Sequence, residues 1–148
     1  MAIESNDLPF ILTAFAFQIV LLVHFAMRKW RFEIAVRYGW IVYGLALPAA
    51  AVSLALLSAG RPWSFWTGGF LYLLWGAFGF YVEYIRRQTT WRSPPVWRIY
   101  IPYLALYFAT TMFFWFPLRL IALPLWVIFG VLFVLATGLN ITSHHPAG

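Results

Sequence analysis

The amino-acid sequence predicts an all-α integral membrane protein built as a bundle of five transmembrane helices. Of its 148 residues, 64% are hydrophobic and 9% are charged, whereas a soluble domain is about 45–50% apolar and about 25% charged. Aromatic residues make up 22% of the chain, and large amphipathic rings are favoured in lipid and at its interface. The apolar residues also form long runs, and about 20 such residues cross the hydrocarbon core as a helix. We therefore expect one transmembrane domain over residues 1–148.

The first three apolar runs each have the length of one span. They cover 8–27, 40–59 and 66–85, and short segments that contain charged residues separate them. The second run carries Pro48, which should kink its helix because proline has no backbone N–H to donate to the preceding turn. The kink should leave a carbonyl group near Gly44 without its helical partner.

The last apolar stretch, 97–141, is about twice as long as one span requires. We predict a turn between Pro117 and Arg119, because Arg119 is the only charged residue beyond residue 98 and proline can end a helix. The turn gives a fourth span over 98–116 and a fifth over 120–141. Four spans, or a re-entrant hairpin near Pro117, are the alternatives.

The basic residues predict the orientation of the bundle. Eight of the ten fall in the segments after the first and third spans, and two fall on the other side. Because cytoplasmic loops carry an excess of Lys and Arg, we expect the N-terminus outside and the C-terminus in the cytoplasm, in the inner membrane of a bacterium. The net charge of +6 is thereby explained without a nucleic-acid partner. The eight are Arg28, Lys29, Arg31, Arg37, Arg86, Arg87, Arg92 and Arg98, and the two are Arg61 and Arg119.

Eight of the nine tryptophans fall near predicted helix ends, where amphipathic rings prefer to lie. Trp75 is the exception, in the middle of the third span. Its indole N–H should need a hydrogen-bond partner on a neighbouring helix.

Polar side chains inside a bilayer are costly, so the few that occur are candidates for function. Glu83 is the only acidic residue within a predicted span, and its simplest role is an i,i+4 ion pair with Arg87. In the other reading it shares one helix face with Tyr72, Gly76 and Gly79, where two glycines would admit a neighbouring helix or a ligand.

A stripe of tyrosines on the fourth span should also face the bundle interior, either to bond to other helices or to line a ligand cavity. His24 and Asn140 fall at a similar depth, and His24 is either a packing residue or one axial ligand of a tetrapyrrole. The candidate ligand-binding residues are His24, Trp75, Glu83, Tyr100, Tyr103, Tyr107 and Asn140.

Several kinds of chemistry find no support in the sequence. The chain has no cysteine, which excludes thiolate metal sites and cysteine nucleophiles. His144 and His145 are adjacent and lack companions at metal-ligand spacing, so no metal site is predicted. There is no Gly-rich phosphate loop, no carboxylate pair in a span and no nucleophile with an evident base. These features disfavour an enzyme.

We therefore expect a non-catalytic accessory or assembly subunit of a larger membrane protein complex, for example a bioenergetic one. Its partners would be other membrane subunits and lipids, with a homo-oligomer as a further option. The alternative is a small binder or carrier of a quinone, carotenoid, tetrapyrrole or lipid, and a membrane-embedded lipid-modifying enzyme is the third reading. A tetrapyrrole, carotenoid or quinone would be held by contacts with other subunits. Faces of small residues should support close helix packing; they carry Gly68, Gly69, Gly76, Gly79, Ala105, Ala109, Gly130 and Gly138.

Overall fold

The computed structural model describes residues 5–88, 92–93 and 96–146. Within them, five helices are long and apolar enough to cross a membrane, which confirms the predicted number of helices of spanning length. A 3-10 turn, Ser5–Asp7, precedes the first of them. The helices are span 1, Leu8–Trp30; span 2, Phe32–Ser58; span 3, Trp63–Ile85; span 4, Trp97–Ile121; and span 5, Leu123–Thr142.

Span 2 begins earlier than the sequence predicts. Only Arg31, with φ −141° and ψ 58°, separates span 1 from the helix that starts at Phe32. The basic stretch before residue 40 is therefore helical rather than a loop. The prediction placed the boundary after the charged residues of this stretch, but the charged side chains of Glu33 and Arg37 do not interrupt the backbone hydrogen bonds of the helix.

Span 2 consists of three helical segments, Phe32–Tyr38, Trp40–Gly44 and Ala46–Ser58. The second interruption, at Leu45, lies just under one turn before Pro48. Because proline has no N–H, it cannot bond to the carbonyl group four residues earlier, and the helix is broken where the sequence predicts a kink.

Span 3 ends in a π-helical turn, Tyr81–Ile85, in which the Arg86 N–H donates to the Tyr81 carbonyl oxygen over 2.8 Å. Arg87 then has a φ of 53°, in the left-handed region, and the helix ends. Because the helix ends before Arg87, Glu83 and Arg87 do not have the helical i,i+4 spacing on which the predicted ion pair rests.

Span 4 continues through Pro117 to Ile121, so the predicted turn between Pro117 and Arg119 is wrong. The chain turns at Ala122, whose backbone is extended, and span 5 carries Pro124 in its first turn. Spans 4 and 5 have 25 and 20 residues, and each is long enough to cross the bilayer, unlike the arms of a re-entrant hairpin.

Span 3 lies at the centre of the bundle, between spans 2 and 4, and span 5 packs chiefly against spans 1 and 4. The predicted glycine face of span 3 is used inside the bundle. A Cβ atom added to Gly76 would lie 2.9 Å from the Ala46 Cβ and 3.0 Å from the Tyr43 carbonyl oxygen. The glycine therefore permits spans 2 and 3 to pack closely.

The bundle has two chemically different ends. The basic end, where span 1 meets span 2 and span 3 ends, also holds a two-residue parallel pairing of Arg92–Ser93 with His145–Pro146. At the opposite end, Arg61 forms an ion pair with Asp7, which ties the start of span 1 to the turn between spans 2 and 3. The cationic residues of the basic end include Arg28, Lys29, Arg31, Arg37, Arg86 and Arg87.

Candidate functional site

Arg28 is the most deeply placed cation of the basic end, with 3% of the residue exposed. Its Nε atom donates a hydrogen bond of 2.8 Å to the Ser143 hydroxyl, and its Nη2 atom donates to the Asn140 side-chain oxygen. A further contact of 3.3 Å joins Nη2 to the Asn140 carbonyl oxygen. Arg28 thereby fastens the end of span 5 to span 1.

The sequence reasoning treated Arg28 only as a loop charge that sets topology. The signal that could have identified it is helical periodicity. Leu21, Phe25 and Arg28 recur at the spacing of one helix face, and all three are buried. The apolar run ends at Met27, directly before Arg28, so hydropathy alone does not extend this face to the arginine.

Glu83 lies on the π-helical turn of span 3 and interacts electrostatically with Tyr43 on span 2 and with Arg28 on span 1. The Tyr43 hydroxyl is also 3.2 Å from the Tyr103 hydroxyl of span 4. Tyr43, which the sequence did not single out, therefore connects the predicted residues Glu83 and Tyr103.

A small cavity opens among these groups at the junction of spans 1, 2 and 3. Its volume is about 70 Å³, roughly the space of two water molecules. The Nδ1 atom of His24 is buried and has no hydrogen-bond partner among the residues that the structure describes. The cavity is lined by His24, Arg28, Phe32, Ala35, Val36, Glu83 and Tyr84.

The cavity suits a small polar group, because it brings together an imidazole, a guanidinium and a carboxylate. It has no room for a tetrapyrrole on His24. Gly39 packs directly against this ring, and a Cβ atom there would lie 3.1 Å from the His24 Cε1 and 2.9 Å from the Tyr84 hydroxyl. Across the described ranges, no group of three or more His, Asp or Glu residues could hold a metal ion.

Trp75 is 1% exposed, and within the described part of the chain its indole N–H has no hydrogen-bond partner, so the predicted bond to a neighbouring helix is wrong. Aromatic packing replaces it, because the surrounding rings fill the space that a polar partner would occupy. Five rings have centroids 5.4 to 6.1 Å from that of Trp75; they belong to Phe17, Tyr43, Tyr72, Tyr103 and Tyr107.

The structure divides the predicted site residues into three groups. His24 and Glu83 share the small cavity, and Asn140 holds Arg28 beside it. Trp75 and Tyr107 belong to the aromatic core, with Tyr103 between this core and the Tyr43 hydroxyl. Tyr100 packs instead against Trp97 and His144 near the basic end. The tyrosine stripe is therefore largely a packing surface in this arrangement.

No family model, curated protein or solved structure matches this chain. The class follows from the fold, since five apolar helices of spanning length fit a multi-pass helical membrane protein.

Proposed function

We propose that this chain is a non-catalytic accessory or assembly subunit of a larger membrane protein complex. The observation that carries the proposal is the exposure of span 5. Only 17% of the most apolar 18-residue segment of span 5 is buried within the chain, whereas the corresponding segments of the other spans are 33% to 44% buried. Its partners would be membrane-spanning helices of other subunits or of a second copy.

The packing of the bundle supports recognition through its outer surface. Trp75 and the rings around it fill the interior, and the cavity at the basic end holds only about 70 Å³. Ligand pockets for drug-sized molecules occupy about 300–1,000 Å³, so the interior does not suit a carrier that encloses an apolar ligand.

Two exposed small residues offer places for close helix approach. A Cβ atom added to Gly138 on span 5 would have no atom within 4 Å, and Ala105 on span 4 is exposed. In lipid, apolarity alone does not drive helices together, so association depends on close contact at small residues and on polar pairing.

The test is the oligomeric mass of the full chain in native membranes or mild detergent. We expect a mass above that of the 17.1 kDa chain, and we expect Gly138→Leu and Ala105→Leu to reduce it. Ala51→Leu is the matched control, since Ala51 is exposed on span 2. A stable monomer that retains one specific apolar ligand would contradict the subunit proposal.

We also propose that the basic end faces the cytoplasm of a bacterium. The support is the excess of Lys and Arg at that end, which is the usual pattern of cytoplasmic loops. Reporters inserted after Gly60 and Ala122 should then read as external, and those after Gln88 or at the C-terminus as cytoplasmic. An external C-terminus would contradict this orientation.

A second candidate is a binder of an amphipathic molecule such as a quinone or lipid. A specific feature favours it: a groove of about 290 Å³ runs between spans 2 and 3 and reaches Tyr43, whose hydroxyl belongs to the polar group around Glu83. Organic extraction of the purified chain should then yield one enriched compound. Ala77→Leu, on the wall of this groove, should lower its amount, and Ala51→Leu should not.

A further inference from the structure

The outer surface of spans 4 and 5 carries a groove with a volume of about 380 Å³. Two stacked rings, Trp115 and Trp126, form one end of it, with centroids 5.1 Å apart and planes 15° from parallel. The Trp115 indole N–H donates a 2.8 Å hydrogen bond to the Trp126 carbonyl oxygen, so the pair is fixed. The lining residues are Trp115, Trp126, Val127, Gly130, Val131, Val134 and Leu135.

Gly130 gives the groove its depth. A Cβ atom there would lie 2.8 Å from the Trp115 ring, so the absence of a side chain lets this ring lie against the backbone of span 5. The floor and walls are entirely apolar, and in a bilayer such a groove would face acyl chains.

A cationic side chain, that of Arg119, lies at the tryptophan end of this groove. Arg119 lies in the last turn of span 4, and its guanidinium carbon is 5.9 Å from the centre of the Trp126 ring. The side chain is exposed, and within the described ranges it has no carboxylate partner. Arg61, the other cation at this end, is already paired with Asp7.

The length of the groove matches one leaflet. From Trp126 to Leu135 a helix rises about 13 Å at 1.5 Å per residue, and half of a hydrocarbon core of roughly 30 Å is about 15 Å. An acyl chain could therefore follow the groove from the end of the bundle almost to the middle of the membrane.

We propose that this groove binds one anionic phospholipid, with a phosphate group at Arg119 and an acyl chain against Trp126, Gly130 and Val134. Guanidinium is well suited to phosphate, since its planar set of N–H donors matches the phosphate oxygens. The stacked tryptophans contact the upper part of the acyl chain, at the depth where such rings prefer to lie.

The experiment titrates the full chain in mild detergent with phosphatidylglycerol or phosphatidylcholine of identical acyl chains and counts bound lipids by native mass spectrometry. We expect one phosphatidylglycerol to bind about fivefold more tightly than phosphatidylcholine, because both lipids carry a phosphate but only phosphatidylglycerol has a net negative charge, and one Arg near an anionic lipid contributes about 1 kcal/mol. Arg119→Gln should remove this preference. Arg37→Gln, an exposed arginine at the basic end, is the matched control and should keep it.

A second pair of variants tests the groove itself. Val134, which is 67% exposed on the groove wall, is replaced by Trp to fill the groove from outside. Val23→Trp, at a valine that is 49% exposed on span 1, is the control. Val134→Trp should weaken the retention of both lipids, and Val23→Trp should not.

Equal binding of the two lipids by the original chain, or a preference that survives Arg119→Gln, would overturn the proposal. A Val134→Trp variant with lower oligomeric mass but unchanged lipid retention would show that the groove holds a protein, which also overturns it. The subunit proposal is tested separately at Gly138 and Ala105, neither of which lines the groove.

Discussion

At the basic end of the bundle, Arg28 is buried and bonded to span 5, and the Tyr43 hydroxyl contacts Tyr103 from another span beside Glu83. At the opposite end, an ion pair joins Asp7 to Arg61, and Arg119 lies against the Trp126 ring. Among the described residues, buried side-chain bonds connect spans that are distant in sequence at the basic end, while aromatic packing and the Asp7–Arg61 pair close the other end.

The difference between the ends indicates where the tertiary structure depends on polar groups. Span 5 is the span least buried by the rest of the chain, yet its end is bonded to Arg28. Because apolar surface gains little by leaving lipid for protein, a few polar bonds and close contacts determine which helices stay together. The basic end should therefore respond most strongly to substitution.

The largest effect is expected for Arg28→Ala. The substitution removes the cationic partner of the Asn140 and Ser143 side chains and a buried charge that interacts with Glu83, so we expect a loss of about 3–5 kcal/mol. The free energy of unfolding in mixed detergent measures it. Arg31→Ala, at an exposed residue three positions along, is the control. If Arg28→Ala and Arg31→Ala lower the free energy of unfolding by a similar small amount, Arg28 contributes no more to stability than a surface cation.

The second effect concerns the close contact of spans 2 and 3. Gly76→Ala places a methyl group 2.9 Å from the Ala46 Cβ and 3.0 Å from a carbonyl oxygen, and overpacking of this kind costs about 1–3 kcal/mol. Gly138→Ala adds the same methyl group where no atom lies within 4 Å. The control should be neutral or stabilising in the same unfolding assay, by up to about 1 kcal/mol through helix propensity.

The sequence predicted the number of spans because each apolar run has a length that the bilayer dictates. It placed their ends less well. The segment Phe32–Tyr38 is helical although it carries the charged residues Glu33 and Arg37, and a charged side chain does not by itself mark where backbone hydrogen bonds stop. The sequence predicts a helix end at Pro117, yet proline is tolerated inside membrane helices. The chain instead turns at Ala122, directly before the Leu-Pro start of span 5.

The candidate site was predicted in part. The cost of polar groups in lipid singled out His24 and Glu83, which share one cavity. Arg28 was missed because its charge was explained by topology, and Tyr43 because no pattern within span 2 reveals which helix it faces. The sequence predicts that Trp75 bonds to another span, but the five rings around it come from four spans, and only the folded bundle brings them together.

The third predicted effect is a gain in stability rather than a loss. Gln18 is 0% exposed in the middle of span 1, and within the described part of the chain both polar atoms of its amide lack hydrogen-bond partners. A buried amide without partners costs about 1–3 kcal/mol, so Gln18→Leu should stabilise the bundle by roughly 1–2 kcal/mol. Gln88→Leu, at an exposed residue after span 3, is the control. A destabilised Gln18→Leu variant would indicate that the amide is bonded in the native protein.

The smallest loss of stability is expected for the ion pair between Asp7 and Arg61, at the end opposite the basic end. Asp7→Asn removes the carboxylate that pairs with Arg61, but the Arg61 guanidinium carbon also lies 4.4 Å from the centre of the Phe65 ring. This cation–π contact keeps the side chain in place, and Arg61 is partly exposed. Asp7 is buried, but Arg61 remains partly accessible, so we expect a loss of about 1 kcal/mol, at the upper end of what accessible ion pairs contribute. Glu33→Gln, at an exposed acid near the basic end, is the control and should leave the unfolding midpoint unchanged. If Asp7→Asn instead costs as much as Arg28→Ala, the two ends contribute alike, and polar closure is a property of the whole bundle rather than of its basic end.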